Sequence, residues 1–275
     1  MSSAPPWSPS PDFARLFRPG AFRFEFALRP AVEPWFRVAD SAAPELAARR
    51  ALLTAHPERH APWKSGADVV LDALLGLFPE PEARVLKGGG ANSGRILGGL
   101  WEPDFVLLQR DDEGEFRMAG GCVCDPSAWD PAGKLGRTVI EIHSPVPTLN
   151  AELGTRIRAF LDRLPPDATL SRENWGLAAV PDRNLHPALS PPRLARGASV
   201  SGVWLRVEHQ AFRALPAADG IVFVIWLTVH PLAEALTDPV VRASFRHLLE
   251  SMPASIADYK GLAEARPALI EQLAD

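Results

Sequence analysis

Cysteine is nearly absent from this sequence. Its 275 residues contain two, Cys122 and Cys124, in a C-x-C spacing. Neighbours that close do not easily meet disulfide geometry with each other. Two thiols are also too few for a four-thiolate zinc site or an iron–sulfur cluster held by this chain alone. Long apolar runs are missing as well. The longest, IVFVIWLTV from Ile221 to Val229, is about half of what a membrane-crossing helix needs. No basic excess exists: the formal net charge is −4, without a block of like charges, which argues against a nucleic-acid partner. The start, MSSAPPWSPSPDF, lacks the basic and apolar regions of a signal peptide. Its proline and serine content reads as a disordered lead over residues 1–20. These absences predict a cytoplasmic protein that works without nucleic acid or membrane.

What is present is the balance of an ordinary globular chain, 47% hydrophobic and 23% charged, enough for a sizeable core. Its 28 prolines bound many segments sharply. In residues 21–100, RFEFALRP reads as a short strand, while PELAARRALLTAHP and GADVVLDALLGLF read as helices. In the second of these, Val69, Val70, Leu74, Leu75 and Phe78 form an apolar stripe. KGGGANSGR lacks the Gly-Lys-Ser/Thr ending of a phosphate loop and the spacing of a dinucleotide fingerprint. It reads as a flexible linker.

Residues 101–275 carry a different pattern. DFVLLQRD and EFRMAGGCVC flank a DDEG turn, the signature of a hairpin. A helix ending at His143 follows, then the helix NAELGTRIRAFLDRL. Three strands come next: ENWGLAAV, GVWLRVEHQAFRAL and GIVFVIWLTVHPL. The expected fold class is α+β, an antiparallel sheet with helices on one face, preceded by a mainly helical N-terminal region. Hairpin, helices and a three-stranded meander is also the element order of a PAS domain.

Two places could carry chemistry. EIHSPVP ends a helix on His143 and stiffens the chain with Pro145 and Pro147. Pro145 disfavours helical conformation at Ser144. A histidine at a helix C-terminus is favoured by the helix dipole alone, and a neutral imidazole at the rim of an apolar cavity also suits a haem iron. In VWLRVEHQAF, alternation places Trp204, Arg206, Glu208, Gln210 and Phe212 on one side and His209 on the other. That polar row is either a solvated sheet face or a ladder looking into a pocket. HPERH has metal-compatible histidine spacing, but with Pro57 inside it reads as a solvated helix end.

CDPSAWDPAGKLGRTVIEIHSPVP, ENWGL, LRVEHQAFRALPAADGIVFVIW and DYKG occur in this order. Together they resemble the family of haem-dependent oxidative N-demethylase alpha subunits. The resemblance is dense after Trp101. It implies a PAS-like fold holding haem b, and oxidation of a small secondary amine such as dimethylamine with O2. It also implies electrons from NADPH delivered by a separate subunit carrying flavin mononucleotide and a 2Fe–2S cluster. By that resemblance His143 is the axial iron ligand, with Cys124 in reserve. Glu208, Arg206 and Gln210 serve the oxygen and amine side, and Trp175 and His209 contact the cofactor. The family's usual Glu-Arg-Gln reads Glu-His-Gln here, so His209 cannot offer arginine's bidentate fork. A haem-binding PAS gas sensor without turnover is the alternative the same residues allow.

Overall fold

The computed structural model describes residues 9–32, 34–38 and 43–274. Residues 1–8 of the expected disordered lead lie outside the described residues; the rest is not disordered, since Phe13–Leu16 is helical and Phe17 is buried. The chain begins with α1 (Phe13–Leu16) and β1 (Arg29–Pro30), then a helical block: α2 (Pro44–Ala55), α3 (Pro57–His60), α4 (Ala67–Leu75), α5 (Pro81–Arg84) and α6 (Gly90–Gly98). The hairpin β2 (Asp104–Arg110) and β3 (Phe116–Cys122) leads into α7 (Val139–His143) and α8 (Leu149–Asp162). The strands β4 (Thr169–Ala178), β5 (Trp204–Leu215) and β6 (Gly220–Pro231) follow. The last four helices are α9 (Leu232–Ala235), α10 (Pro239–Ser251), α11 (Ala254–Tyr259) and α12 (Arg266–Gln272).

The six strands form one antiparallel sheet in the order β1-β4-β5-β6-β2-β3. The meander returns its last strand beside the first strand of the hairpin, the PAS-like arrangement expected from the element order. The β5–β6 turn is closed by Asp219, whose left-handed φ of 42° suits a short polar side chain.

Alternation along the strands sorts the core. Phe105 and Leu107 face one way, joining Trp101, Trp226, Phe78 and the apolar stripes of α4 and α6. Further along that face, Leu205 and Val207 join Phe245, Leu249, Ile256 and Leu269 from α10 to α12. Val106 and Leu108 face the other way and pack with Phe116, Met118, Leu161 and Leu164. The two large helical layers therefore cover one face. On the second face, α7 and α8 cover the hairpin side and leave the β4–β5 side partly open.

Three local expectations change. Of RFEFALRP only Arg29–Pro30 forms strand, because Ala27 takes a left-handed φ of 43° that interrupts the extended run. KGGGANSGR is no flexible linker: Gly90–Gly98 is helical, with Ser93, Gly94, Leu97 and Gly98 buried. A Cβ on Gly94 would run into the Trp63 ring, and one on Gly98 into Cys122 Sγ. These glycines serve close approach rather than freedom. Val69, placed in the buried stripe of α4, is 53% exposed.

One buried polar network ties the helical block to the sheet. Arg49 of α2 donates to Asp104 Oδ1 (2.8 Å), Gly98 O (2.9 Å) and Pro103 O (3.3 Å). Asp104 accepts in turn from the backbone N–H groups of Cys124 (2.7 Å) and Asp125 (3.0 Å). Burial pushes the Asp104 carboxyl up to about 6 against the pull of Arg49. Burial also opposes ionisation of Asp125, yet Arg183 and Arg49 hold it below the usual range. Arg49→Met leaves the buried Asp104 carboxyl without its cation, so a loss of about 3–5 kcal/mol is expected in urea unfolding. Asp104→Asn in that background should recover part of it; strictly additive losses would contradict the coupling.

Candidate functional site

α7 has five residues, too few to persist as a helix by itself. Its conformation is imposed from outside. Thr138 and Glu141 form a reciprocal capping box at its start: Thr138 Oγ1 accepts from Glu141 N (3.1 Å) and Glu141 Oε2 from Thr138 N (2.7 Å). At its end, the carbonyls that have no helical partner are each taken up. Asn150 Nδ2 donates to Ile140 O (2.9 Å), Ser144 Oγ to Glu141 O (2.8 Å) and Lys134 Nζ to Ile142 O (3.1 Å). Val146 N donates to His143 O (2.9 Å). Ser144 keeps helical angles (φ −55°, ψ −30°) despite Pro145, because its hydroxyl bonds back into the turn. His143 is thus fixed at both ends of its helix.

The His143 imidazole is neutral in this setting. Burial, followed by the charges of Arg172 and Lys134, pulls it down to about 4. Its Nδ1 is sealed from solvent and makes no hydrogen bond among the described residues, and the backbone of Val139, one turn earlier, only partly opposes the downward shift.

Arg172, whose charge acts on His143, is bonded to β5. The β4–β5 register sets Arg172 opposite Gln210 and Asn174 opposite Glu208, so these four side chains share one face. Arg172 Nε donates to Gln210 Oε1 (2.8 Å), and Gln210 Nε2 donates to Glu208 Oε2 (2.9 Å). Asn174 Nδ2 donates to the same oxygen (3.2 Å). Glu208 Oε1 accepts no hydrogen bond among the described residues. Gly176, next along β4 on this face, has open space where a Cβ would stand.

Lys260 approaches the row from the C-terminal end of α11. Its Nζ donates to Trp175 O (2.8 Å) and lies 4.7 Å from the Trp175 ring centroid. Burial lowers its ammonium to about 8, against the attraction of Glu208.

Of the six residues picked from sequence, three come together here: His143, Glu208 and Gln210. Arg206 shares their face, but its guanidinium is spent on loops. It donates to Asp182 O (2.6 Å), Arg183 O (2.7 Å), Asp125 O (3.4 Å) and Ser127 Oγ (3.3 Å). Trp175 and His209 stand on the opposite face. Trp175 packs edge-on to Phe17 and Phe245, and His209 Nε2 lies 3.2 Å from Thr228 Oγ1. Cys124 is fully buried in the helical-block core, where its contact with Cys122 and then burial raise its thiol well above the ordinary range. That environment opposes a thiolate ligand.

Arg172, Asn174 and Lys260 were missed. The first two could have been found from the alternation R-x-N in β4, had the pairing with β5 been known. Lys260 lies 52 positions beyond Glu208 in the sequence, and only the return of α11 brings it close. Two hollows occur elsewhere: a narrow one of about 40 Å³ lined by Val139, Ile157 and Leu161, and an open groove of about 450 Å³ lined by Trp35 and Arg213. Neither is lined by His143 or Glu208. The site is recognised by its donor set, not by depth.

No described helix is long and apolar enough to cross a membrane. Among known proteins, a family model described as haem-dependent oxidative N-demethylase, alpha subunit-like, matches residues 87–270. That span contains His143, Arg172, Glu208 and Lys260.

Arg206→Lys keeps the charge but cannot serve four acceptors in two loops. Stability should fall by about 1–3 kcal/mol, read by urea unfolding, with faster proteolysis around residues 125–127 and 182–183. Unchanged proteolysis would mean that Arg206 does not hold these loops.

Proposed function

Because the chain belongs to the haem-dependent oxidative N-demethylase alpha-subunit-like family, we propose that the His143–Arg172–Glu208 face is a haem-dependent site oxidising a small secondary amine such as dimethylamine. The observation that carries this reading is the state of His143. It is a neutral imidazole on an immobilised helix, with a buried Nδ1 that makes no hydrogen bond among the described residues. Such a nitrogen costs free energy unless a partner is supplied. The open space at Gly176 adds room on the same face for a flat group to approach the backbone. These features fit haem.

In this reading His143 would ligate the haem iron, and Arg172 and Lys260 would offer positive charge to the carboxylates of the cofactor. Bound haem b supplies the one-electron and oxygen chemistry. The chain's own residues do the rest. Glu208 takes the cationic amine through Oε1, while Asn174 and Gln210 hold Oε2 and fix the carboxylate plane. Gln210 is itself held by Arg172, whose charge also acts on His143, so the two groups are coupled electrostatically through one side chain. Preorganisation of this kind spares the site a rearrangement when the charge of the substrate changes. Arg206 contributes at one remove by holding the loops at 125–127 and 182–183. Trp175 contributes by supporting Lys260.

Electrons reach the site from NADPH through a separate subunit carrying flavin mononucleotide and a 2Fe–2S cluster. The alpha-subunit description of the family and the lack of a flavin or dinucleotide fingerprint in this sequence support that division. The protein works in the cytoplasm.

Reconstitution with haemin should give a Soret band that His143→Ala removes or shifts; an unchanged band rejects His143 as ligand. In the loaded protein dimethylammonium should perturb the spectrum saturably. Glu208→Gln should weaken that response at least tenfold, about 1.4 kcal/mol, while leaving the Soret band and CO binding intact. A protein that binds CO but never responds to the amine would favour the gas-binding alternative.

A further inference from the structure

The segment between α1 and β1 crosses the rim of the site. Residues 23–28 have no regular secondary structure, and no backbone–backbone hydrogen bond joins them to the rest of the described chain. Their two ends, by contrast, are fixed. At one end Phe22 N donates to Ser251 Oγ (2.9 Å), and Phe22 and Phe24 pack against the core of α10 to α12. At the other, Arg29 Nη1 donates to Glu173 Oε2 (2.8 Å) and Ala31 N to Thr169 O (2.8 Å). A strap held at both ends and without backbone bonds between them belongs to the part of a fold that opens most readily.

The middle of the strap touches two elements that flank the open side of the sheet. Arg172 Nη1 lies 3.5 Å from Glu25 O, at the long limit of a hydrogen bond, while its Nε is bound to Gln210 (2.8 Å). The next residue, Phe26, meets Phe160 of α8 edge-on, with ring centroids 5.9 Å apart, and the Arg156 guanidinium stands 5.0 Å above the Phe26 ring. Phe160 in turn packs edge-on to Phe212, which shares the face of Gln210 and Glu208. Glu25 and Phe26 therefore bridge β4 and α8. Ala27 then takes its left-handed φ of 43°, where a Cβ crowds the following carbonyl. Closure thus rests on one long contact and one ring pair, against one strained residue.

We propose that residues 25–28 are a gate at the Arg172 edge of the site. Closed, Glu25 O occupies one N–H of Arg172, and Phe26 fills the gap to α8. Open, the gap and that N–H become available to an incoming carboxylate, for which a guanidinium is a matched partner. Gln210 keeps Arg172 in place while the strap moves. The gate rests on the reading of the Arg172 face as a ligand site. It governs entry and takes no part in the chemistry, so Phe26 and Ala27 touch no reacting atom.

Two substitutions in the strap pull in opposite directions. Phe26→Ala removes the ring that seats the strap, whereas Ala27→Gly relieves the left-handed strain and favours closure. The test is the rate at which phenylglyoxal modifies Arg172 in the full chain without haem, followed by mass spectrometry, with Arg206 as the internal control. Phe26→Ala should speed the modification of Arg172 about fivefold. Ala27→Gly should slow it about threefold. Arg206 should react equally in all three proteins. Equal rates at Arg172 would overturn the gate, as would a faster rate in Ala27→Gly or a parallel change at Arg206, which would mean general loosening. With haemin added, the Soret band should appear in the same order of rates and at an unchanged wavelength; equal rates of appearance would also overturn the gate. A chain that gives no Soret band rejects the haem reading, and the labelling of Arg172 then decides the gate alone.

Discussion

The Arg49–Asp104 pair is the joint on which the fold turns. Both side chains are almost fully buried, 3% and 2% exposed, so their charges exist only because each satisfies the other and both are further hydrogen-bonded. From that pair the connections spread outward. Asp104 holds the backbone as it leaves β3. Asp125 passes the link to Arg183 (2.9 Å), and Arg183 O accepts from Arg206 of β5. Helical block, hairpin and meander are thereby fixed to one another by directional contacts, where hydrophobic packing alone would tolerate sliding. The position of β5 relative to the loops around Ser127 and Asp182 follows from this joint.

The α7 region solves a related problem on a smaller scale. A five-residue helix cannot hold a side chain still by its own hydrogen bonds, yet His143 sits on one. Its stability is borrowed from Thr138 and Glu141 before it and from Lys134, Ser144 and Asn150 around its end. The prolines behind His143 do not unwind the helix at once. They turn the chain so that Asn150, at the start of α8, reaches back to Ile140. Stiffness at the imidazole is a property of the whole turn between α7 and α8.

Much of this was legible before any coordinates. The strands and the helix ending at His143 follow from periodicity and proline placement. The alternation of VWLRVEHQAF correctly separated Glu208 and Gln210 from His209. What could not be read was register. Nothing local tells that Asn174 stands opposite Glu208, since that pairing is fixed by the packing of β4 against β5 over ten residue pairs. Trp175 was placed with the site from its motif, but one step of alternation puts it on the opposite face, among Phe17 and Phe245. Arg206 looked available because sequence shows a donor without showing its acceptors, which lie in two distant loops. KGGGANSGR misled for another reason: glycine raises chain entropy and also permits close contact, and only the facing Trp63 and Cys122 show which role applies.

The charges around Glu208 complete the argument. Arg172 and Lys260 are cations near a single carboxylate, and both are weakened by burial. Desolvation first, and then the charges of Arg172 and Lys134, make protonation of His143 unfavourable. Arg172, which balances Glu208, thus also favours the neutral form of the imidazole, the form that a metal requires. Removing Glu208 would leave these cations uncompensated, and removing Arg172 would free Gln210 and relax the carboxylate. His143, Arg172 and Glu208 form one electrostatic unit. Its geometry depends on the β4–β5 register, and the position of β5 depends in turn on the buried Arg49–Asp104 joint.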